Sequence, residues 1–112
     1  MCCLDAATFA DAFYNRGTAY ARKGDLVASL ADFDRAISLD PSFPGAFATR
    51  GLALVKSGEY SRALVDLDRA VELSPKDAFA LYNRGLAKRQ TGDIAGGDAD
   101  MVRARAMDPN LP

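Results

Sequence analysis

Residues 44–77 read PGAFATRGLALVKSGEYSRALVDLDRAVELSPKD. Slid by 34 residues in either direction, this stretch meets a copy of itself. Nine columns are identical in all three copies, among them Arg16/Arg50/Arg84, Gly17/Gly51/Gly85, Gly24/Gly58/Gly92 and Asp32/Asp66/Asp100. Arg35/Arg69/Arg103, Ala36/Ala70/Ala104 and Pro41/Pro75/Pro109 are three more of the nine. A fixed period of this length marks stacked supersecondary units. The units run 10–43, 44–77 and 78–111, preceded by an N-terminal extension over residues 1–9.

Within each unit apolar residues recur at three and four, which is helical spacing. In the second half of unit one, Leu26, Leu30, Phe33, Ala36, Ile37 and Leu39 form one wide apolar stripe. Asp32, Asp34, Arg35 and Ser38 form its polar counterpart. Gly24, Gly58 and Gly92 sit where a left-handed residue would end the first helix of each unit. Asp25, Glu59 and Asp93 then place a negative charge at the start of the second. The prolines stop that second helix. Residues 1–9 lack the proline that would close a preceding unit, with Ala7 in its place, so they extend the first helix or fray.

The chain resembles three tandem tetratricopeptide repeats. The resemblance rests on the glycine column at unit position 8, the alanine column at 27, the proline column at 32 and large residues at 4 and 24 (Phe13, Phe47, Leu81; Phe33, Leu67, Met101). It covers residues 10–111 and implies an all-α superhelix of six antiparallel helices. The family pairing would set Gly17 against Ser29, Gly51 against Ala63 and Gly85 against Gly97, small residues that let helices approach closely.

Two departures from the family carry information. Position 7, usually leucine, is Arg16, Arg50 and Arg84, while position 23 is Asp32, Asp66 and Asp100. An unpaired inward charge is costly, so matched columns of opposite sign predict that each Arg pairs with one of these aspartates. In the last helix, Asp98 and Arg105 replace the apolar residues that Leu30, Leu64, Ile37 and Val71 supply in the other units. A polar outer face suits a terminal repeat. Gly96 and Gly97 weaken that helix by about 1 kcal/mol each relative to alanine. Met101, Val102 and Met107 are expected to be partly exposed, which would leave that end open to weak homo-oligomerisation.

The resemblance implies a concave groove lined by the first helices. Its candidate residues are Asp11, Tyr14, Thr18 and Arg22; Ala48, Leu52, Val55 and Lys56; and Phe79, Tyr82, Leu86, Arg89 and Gln90. Ala21 and Gly45 occupy further groove positions. Apolar groups beside Arg22, Lys56 and Arg89 suit a peptide or protein partner with apolar and acidic side chains. The alternative is a self-associating structural module using its ends or groove. Family members that hold acidic chaperone tails use a carboxylate clamp of Lys, Asn and Arg. The clamp positions here are Tyr14, Thr18, Thr49, Phe79 and Asn83, so that clamp is not matched.

Composition narrows the rest. The chain has 112 residues, net charge -1 and no histidine. With neither a basic stripe nor a long apolar run, no nucleic-acid or membrane partner is expected. No base–nucleophile set, phosphate loop or metal-ligand spacing is present, so neither an enzyme nor a cofactor is expected. Cys2 and Cys3 read as incidental free thiols near the terminus rather than a metal, lipid or disulfide site. Free thiols and the lack of a secretory leader pattern point to a cytoplasmic setting.

Overall fold

The computed structural model describes residues 5–112; Cys2 and Cys3 lie outside the described residues. Six helices follow in order: α1 (Ala6–Lys23), α2 (Leu26–Leu39), α3 (Pro44–Lys56), α4 (Tyr60–Leu73), α5 (Ala78–Gln90) and α6 (Ile94–Met107). The helix starts of α3 and α5 coincide with the unit boundaries read from the period. By contrast, α1 begins four residues before its unit, with the Asp5 carboxylate accepting the Thr8 N–H at 2.9 Å as its cap.

Each turn inside a unit is built the same way. Gly24, Gly58 and Gly92 have φ of 86°, 82° and 100°, a region that costs glycine little and other residues more. The next residue's N–H reaches back five residues, Asp25 to Tyr20, Glu59 to Leu54 and Asp93 to Lys88, each at 2.9 Å. This closes the first helix in a Schellman motif and reverses the chain. Asp25 and Asp93 then cap the next helix through the N–H groups of Ala28 and Gly96. Glu59 makes no such side-chain cap and instead pairs with Arg62 at 2.9 Å.

Within a unit the two helices pack antiparallel, and α2 and α4 also pack on the first helix of the following unit. The first helices α1, α3 and α5 lie side by side along the array. The result is elongated, 53 × 26 × 23 Å. Phe33, Leu54, Leu67 and Leu81 are its largest fully buried side chains. Leu54, Ala63, Leu67 and Ala87 form one core cluster, with Leu30, Val55 and Leu64 packed around it, so apolar contact runs continuously through all three units. A single helical pair cannot bury such a face alone.

The glycine column makes closer contacts than the family pairing implies. A Cβ on Gly17 would lie 2.9 Å from the Phe33 ring, and one on Gly51 would lie 2.7 Å from Leu67 Cγ. The position 8 glycines of units one and two therefore face position 24 first. In unit three Gly85 meets both Met101 and the Gly97 carbonyl. Met101 is buried, contrary to the expectation of partial exposure, because Gly85 has no side chain to keep it off α5. Val102 and Met107 are exposed as expected.

Candidate functional site

The side-by-side first helices leave one open cavity of about 470 Å³ on their shared face. Tyr14, Thr18, Ala21 and Arg22 of α1 form one wall. Gly45, Ala48, Thr49, Leu52 and Lys56 of α3 form the floor, and Asp77 and Phe79 close the side toward unit three. Helical geometry explains the grouping: Tyr14, Thr18, Ala21 and Arg22 are spaced by three and four, so they share one face. Ala48, Leu52 and Lys56 repeat that spacing on α3.

Packing below the cavity holds Tyr14 in place. Its ring lies 4.9 Å from Phe43 and 6.0 Å from Phe33, centroid to centroid, with interplanar angles of 40° and 46°. Its hydroxyl shares a hydrogen bond with the Thr49 hydroxyl at 3.4 Å. Gly45 leaves room for this arrangement, since a Cβ there would touch both Phe43 and the Tyr14 hydroxyl at 3.4 Å. A locked aromatic ring beside an apolar floor offers contact area at little entropic cost. Arg22 and Lys56 lie at one end of the cavity, and neither has an acidic partner among the described residues. Asp77 at the other end is engaged in capping α5 through the Ala80 N–H.

Seven of the thirteen candidate residues therefore share one cavity: Tyr14, Thr18, Arg22, Ala48, Leu52, Lys56 and Phe79. The other six lie outside it. Val55 packs against the core cluster. Tyr82 is half-buried beneath the Arg105 guanidinium, 5.8 Å from its ring centroid. Arg89 folds over Gly97 and pairs with Asp98. Leu86 is half-buried, while Asp11 and Gln90 are exposed. Thr49 and Asp77 line the cavity although sequence reasoning did not place them there. Thr49 follows Ala48 on the α3 face toward α1, which helical spacing from Gly45 would have indicated.

The clamp positions carry no cation. Tyr14 and Thr49 bond to each other, and the buried Asn83 amide donates to the Phe79 carbonyl at 2.9 Å.

Away from the cavity, the arginine and aspartate columns pair within each unit. Arg16 grips Asp32 through Nε and Nη2 at 2.8 Å each. Arg50 grips Asp66 at 2.7 Å, and Arg84 grips Asp100 at 2.8 and 3.0 Å. All three aspartates are buried. A second acid reaches across each junction: Asp34 accepts from Arg50 Nη1 at 2.8 Å and Asp68 from Arg84 Nη1 at 3.4 Å. Lys88 adds a further contact to Asp100 at 3.0 Å. These charges form a ladder that fastens neighbouring units.

The ladder sets an acid limit on stability. Hydrogen bonds from Arg16 hold the Asp32 carboxyl below the usual carboxylate range. Burial pushes the Asp100 carboxyl up, but Arg84 and Lys88 together outweigh this and leave it lowered. The Thr8 N–H and hydroxyl lower the exposed Asp5 carboxyl too. A carboxyl lowered on folding contributes fully above its unfolded pKa, about 3.9, and loses its contribution as pH falls through the folded value. The urea midpoint is expected to stay level between about pH 7 and 5 and to fall below about pH 4. Asp100→Asn should flatten that fall relative to the parent chain.

Comparison with known proteins agrees with this architecture. A tetratricopeptide repeat family model matches residues 17–81. A search among curated proteins finds no significant match. Among solved structures, the first tetratricopeptide domain of Spaghetti (RPAP3), bound to the HSP90 peptide SRMEEVD, superposes with TM-score 0.90 at 21% identity. The match spans 94% of this chain and 83% of that one. The tetratricopeptide domain of Arabidopsis OM64 gives TM-score 0.90 at 18% identity over 95% of this chain and 88% of that one. The O-GlcNAc transferase of Thermobaculum terrenum gives 0.91 at 26% identity, covering 98% of this chain but only 21% of the enzyme. The family model spans more than half of the chain and the fold matches throughout, so this chain belongs to the tetratricopeptide repeat family.

Proposed function

We propose that the chain binds a peptide or extended partner segment along the cavity shared by α1 and α3, with apolar side chains on Leu52, Tyr14 and Phe79 and acidic groups at Arg22 and Lys56. Tetratricopeptide domains are in general protein–protein interaction modules, and the neighbouring Spaghetti domain is bound to a peptide. The observation that carries the reading is the juxtaposition of an apolar floor with two cations that have no acidic partner among the described residues. Small-molecule and peptide sites commonly combine an apolar lining with a few placed polar groups. An acidic chaperone tail is not the ligand proposed, because the clamp positions hold Tyr14, Thr18, Thr49, Phe79 and Asn83.

The test is selection of a displayed random ten-residue peptide library against the intact chain, followed by calorimetry on the enriched peptides. Leu52→Ala and Lys56→Ala are each expected to weaken binding by about tenfold, the loss of one good contact of about 1.4 kcal/mol. Neither residue belongs to the ion-pair ladder. Enriched peptides that lack acidic residues and bind both variants with parent affinity would overturn the proposal.

A further inference from the structure

The two ends of the array are not equivalent. At the C-terminal end, residues that would receive another unit have changed. Asp98 and Arg105 stand where Leu30, Leu64, Ile37 and Val71 stand in the other units. Arg89 replaces Val55 and pairs with Asp98. Val102 takes the place of Asp34 and Asp68, the acids that reach across each junction.

The N-terminal end keeps the pattern of an interior junction. Ala12, Arg16 and Ala19 of α1 correspond to Ala46, Arg50 and Ala53 of α3 and to Ala80, Arg84 and Ala87 of α5. In α3 and α5 these alanines are at most 2% exposed, because the preceding unit covers them. In α1 both Ala12 and Ala19 are exposed. Phe9, Ala12, Phe13 and Arg16 line a surface recess of about 230 Å³ there, and Phe9 is 44% exposed.

The guanidinium of Arg16 identifies the missing group. Arg50 and Arg84 each use Nε and Nη2 for the aspartate of their own unit and Nη1 for an aspartate of the preceding unit. Arg16 uses Nε and Nη2 on Asp32, while Nη1 has no acidic partner among the described residues. Its side chain is 60% exposed, against 20% and 17% for Arg50 and Arg84. Arg35 adds a second cation above Phe13, 5.0 Å from the ring centroid.

We infer that this end of α1 is a docking face for a helix of another protein, one that presents small or apolar residues to Phe9, Ala12 and Ala19 and an aspartate or glutamate to Arg16 Nη1. The surface is separate from the groove. A second copy stacked head to tail cannot supply the acid, since its α6 offers Val102 at that place. A repeat joined in the usual way does not fit either: residues 40–43 and 74–77 link the units, but their counterparts, 6–9, are the first turn of α1. The residues that would form the link are helical and carry the exposed Phe9.

The chain's own α2 is the natural probe, because it covers the corresponding face of α3. A synthetic peptide of residues 26–42, crosslinked through the exposed positions 27 and 31 to hold it helical, is added to the isotope-labelled chain and followed by amide NMR shifts. Shifts are expected at Phe9, Ala12, Arg16 and Ala19, and the same peptide with Asp34→Asn should bind at least about fivefold more weakly. Altering the peptide leaves the folding of the chain untouched. Shifts confined to the Leu52 and Phe79 groove, equal affinity of the two peptides, or no shifts at millimolar peptide would each overturn the inference. So would a dimer of the chain alone by sedimentation that Ala12→Arg abolishes, which would make the occupant a second copy.

Discussion

Arg50→Ala is expected to lower the unfolding free energy by about 3 kcal/mol, the low end of the cost of breaking a buried ion pair from one side. Asp66 is 4% exposed, and both of its carboxylate oxygens are held by Arg50 at 2.7 Å. No second cation pairs with it among the described residues. Removing the guanidinium leaves a buried carboxylate uncompensated and also releases Asp34 across the junction. The low end of the range applies because the Arg50 side chain keeps 20% exposure, so water reaches part of the pair. Arg84→Ala should cost clearly less, since Asp100 retains Lys88 at 3.0 Å. The double change Arg50→Met with Asp66→Leu should recover most of the loss, because it removes both charges together. Urea unfolding of the four proteins checks the set. Equal losses for Arg50→Ala and Arg84→Ala, or no recovery in the double variant, would contradict a coupled ladder.

Gly85→Ala is expected to destabilise by about 2 kcal/mol, although helix propensity alone favours alanine by about 1 kcal/mol. The new Cβ would lie 2.6 Å from Met101 Cγ and 2.7 Å from the Gly97 carbonyl oxygen. The carbonyl belongs to helix backbone and cannot swing aside, so α5 and α6 must separate. Gly51→Ala meets only the Leu67 side chain at 2.7 Å and 2.9 Å. That side chain can shift within the core, and the expected net cost is smaller, about 1 kcal/mol. Thermal unfolding of the two variants beside the parent distinguishes these cases. A rise in the midpoint for Gly85→Ala would mean that propensity outweighs the close approach.

The same close approach changes the meaning of Gly97. From the sequence it weakens α6 by propensity, while the family pairing sets it against Gly85 at a close crossing. In the structure a Cβ there would come within 2.6 Å of the Gly85 carbonyl, so the lost propensity is offset by tight seating of α6 on α5. Gly96 differs: its Cβ would run into the Asp93 carboxylate that caps the helix. Sequence reasoning gave both glycines the same cost in propensity but only Gly97 a facing partner, Gly85, and the structure shows that contact. The Asp93 neighbour of Gly96 is the one that helical spacing alone does not reveal.

The groove was legible in part for a related reason. Periodicity places Tyr14, Thr18 and Arg22 on one face of α1, and Ala48, Leu52 and Lys56 on one face of α3. It cannot say how far a long side chain turns. Arg89 occupies a groove position by register but folds across Gly97 to Asp98. Tyr82 does so too but lies under Arg105. In both cases a charged residue particular to α6, Asp98 or Arg105, holds the side chain outside the cavity.

What the sequence by itself determined is whatever repeats. The 34-residue period settled the number of units, the antiparallel helices, their turns at Gly24, Gly58 and Gly92 and the pairing of the arginine and aspartate columns. Those features depend on local backbone preference and on charge columns that recur together, both visible along one chain. Only the tertiary structure decided which seven candidate residues meet in one cavity, that Asp34 and Asp68 complete the ladder, and that Met101 is buried. These depend on distances between helices. Such distances are set by whether a glycine, a ring or a carbonyl stands at each crossing, and a one-dimensional pattern does not contain them.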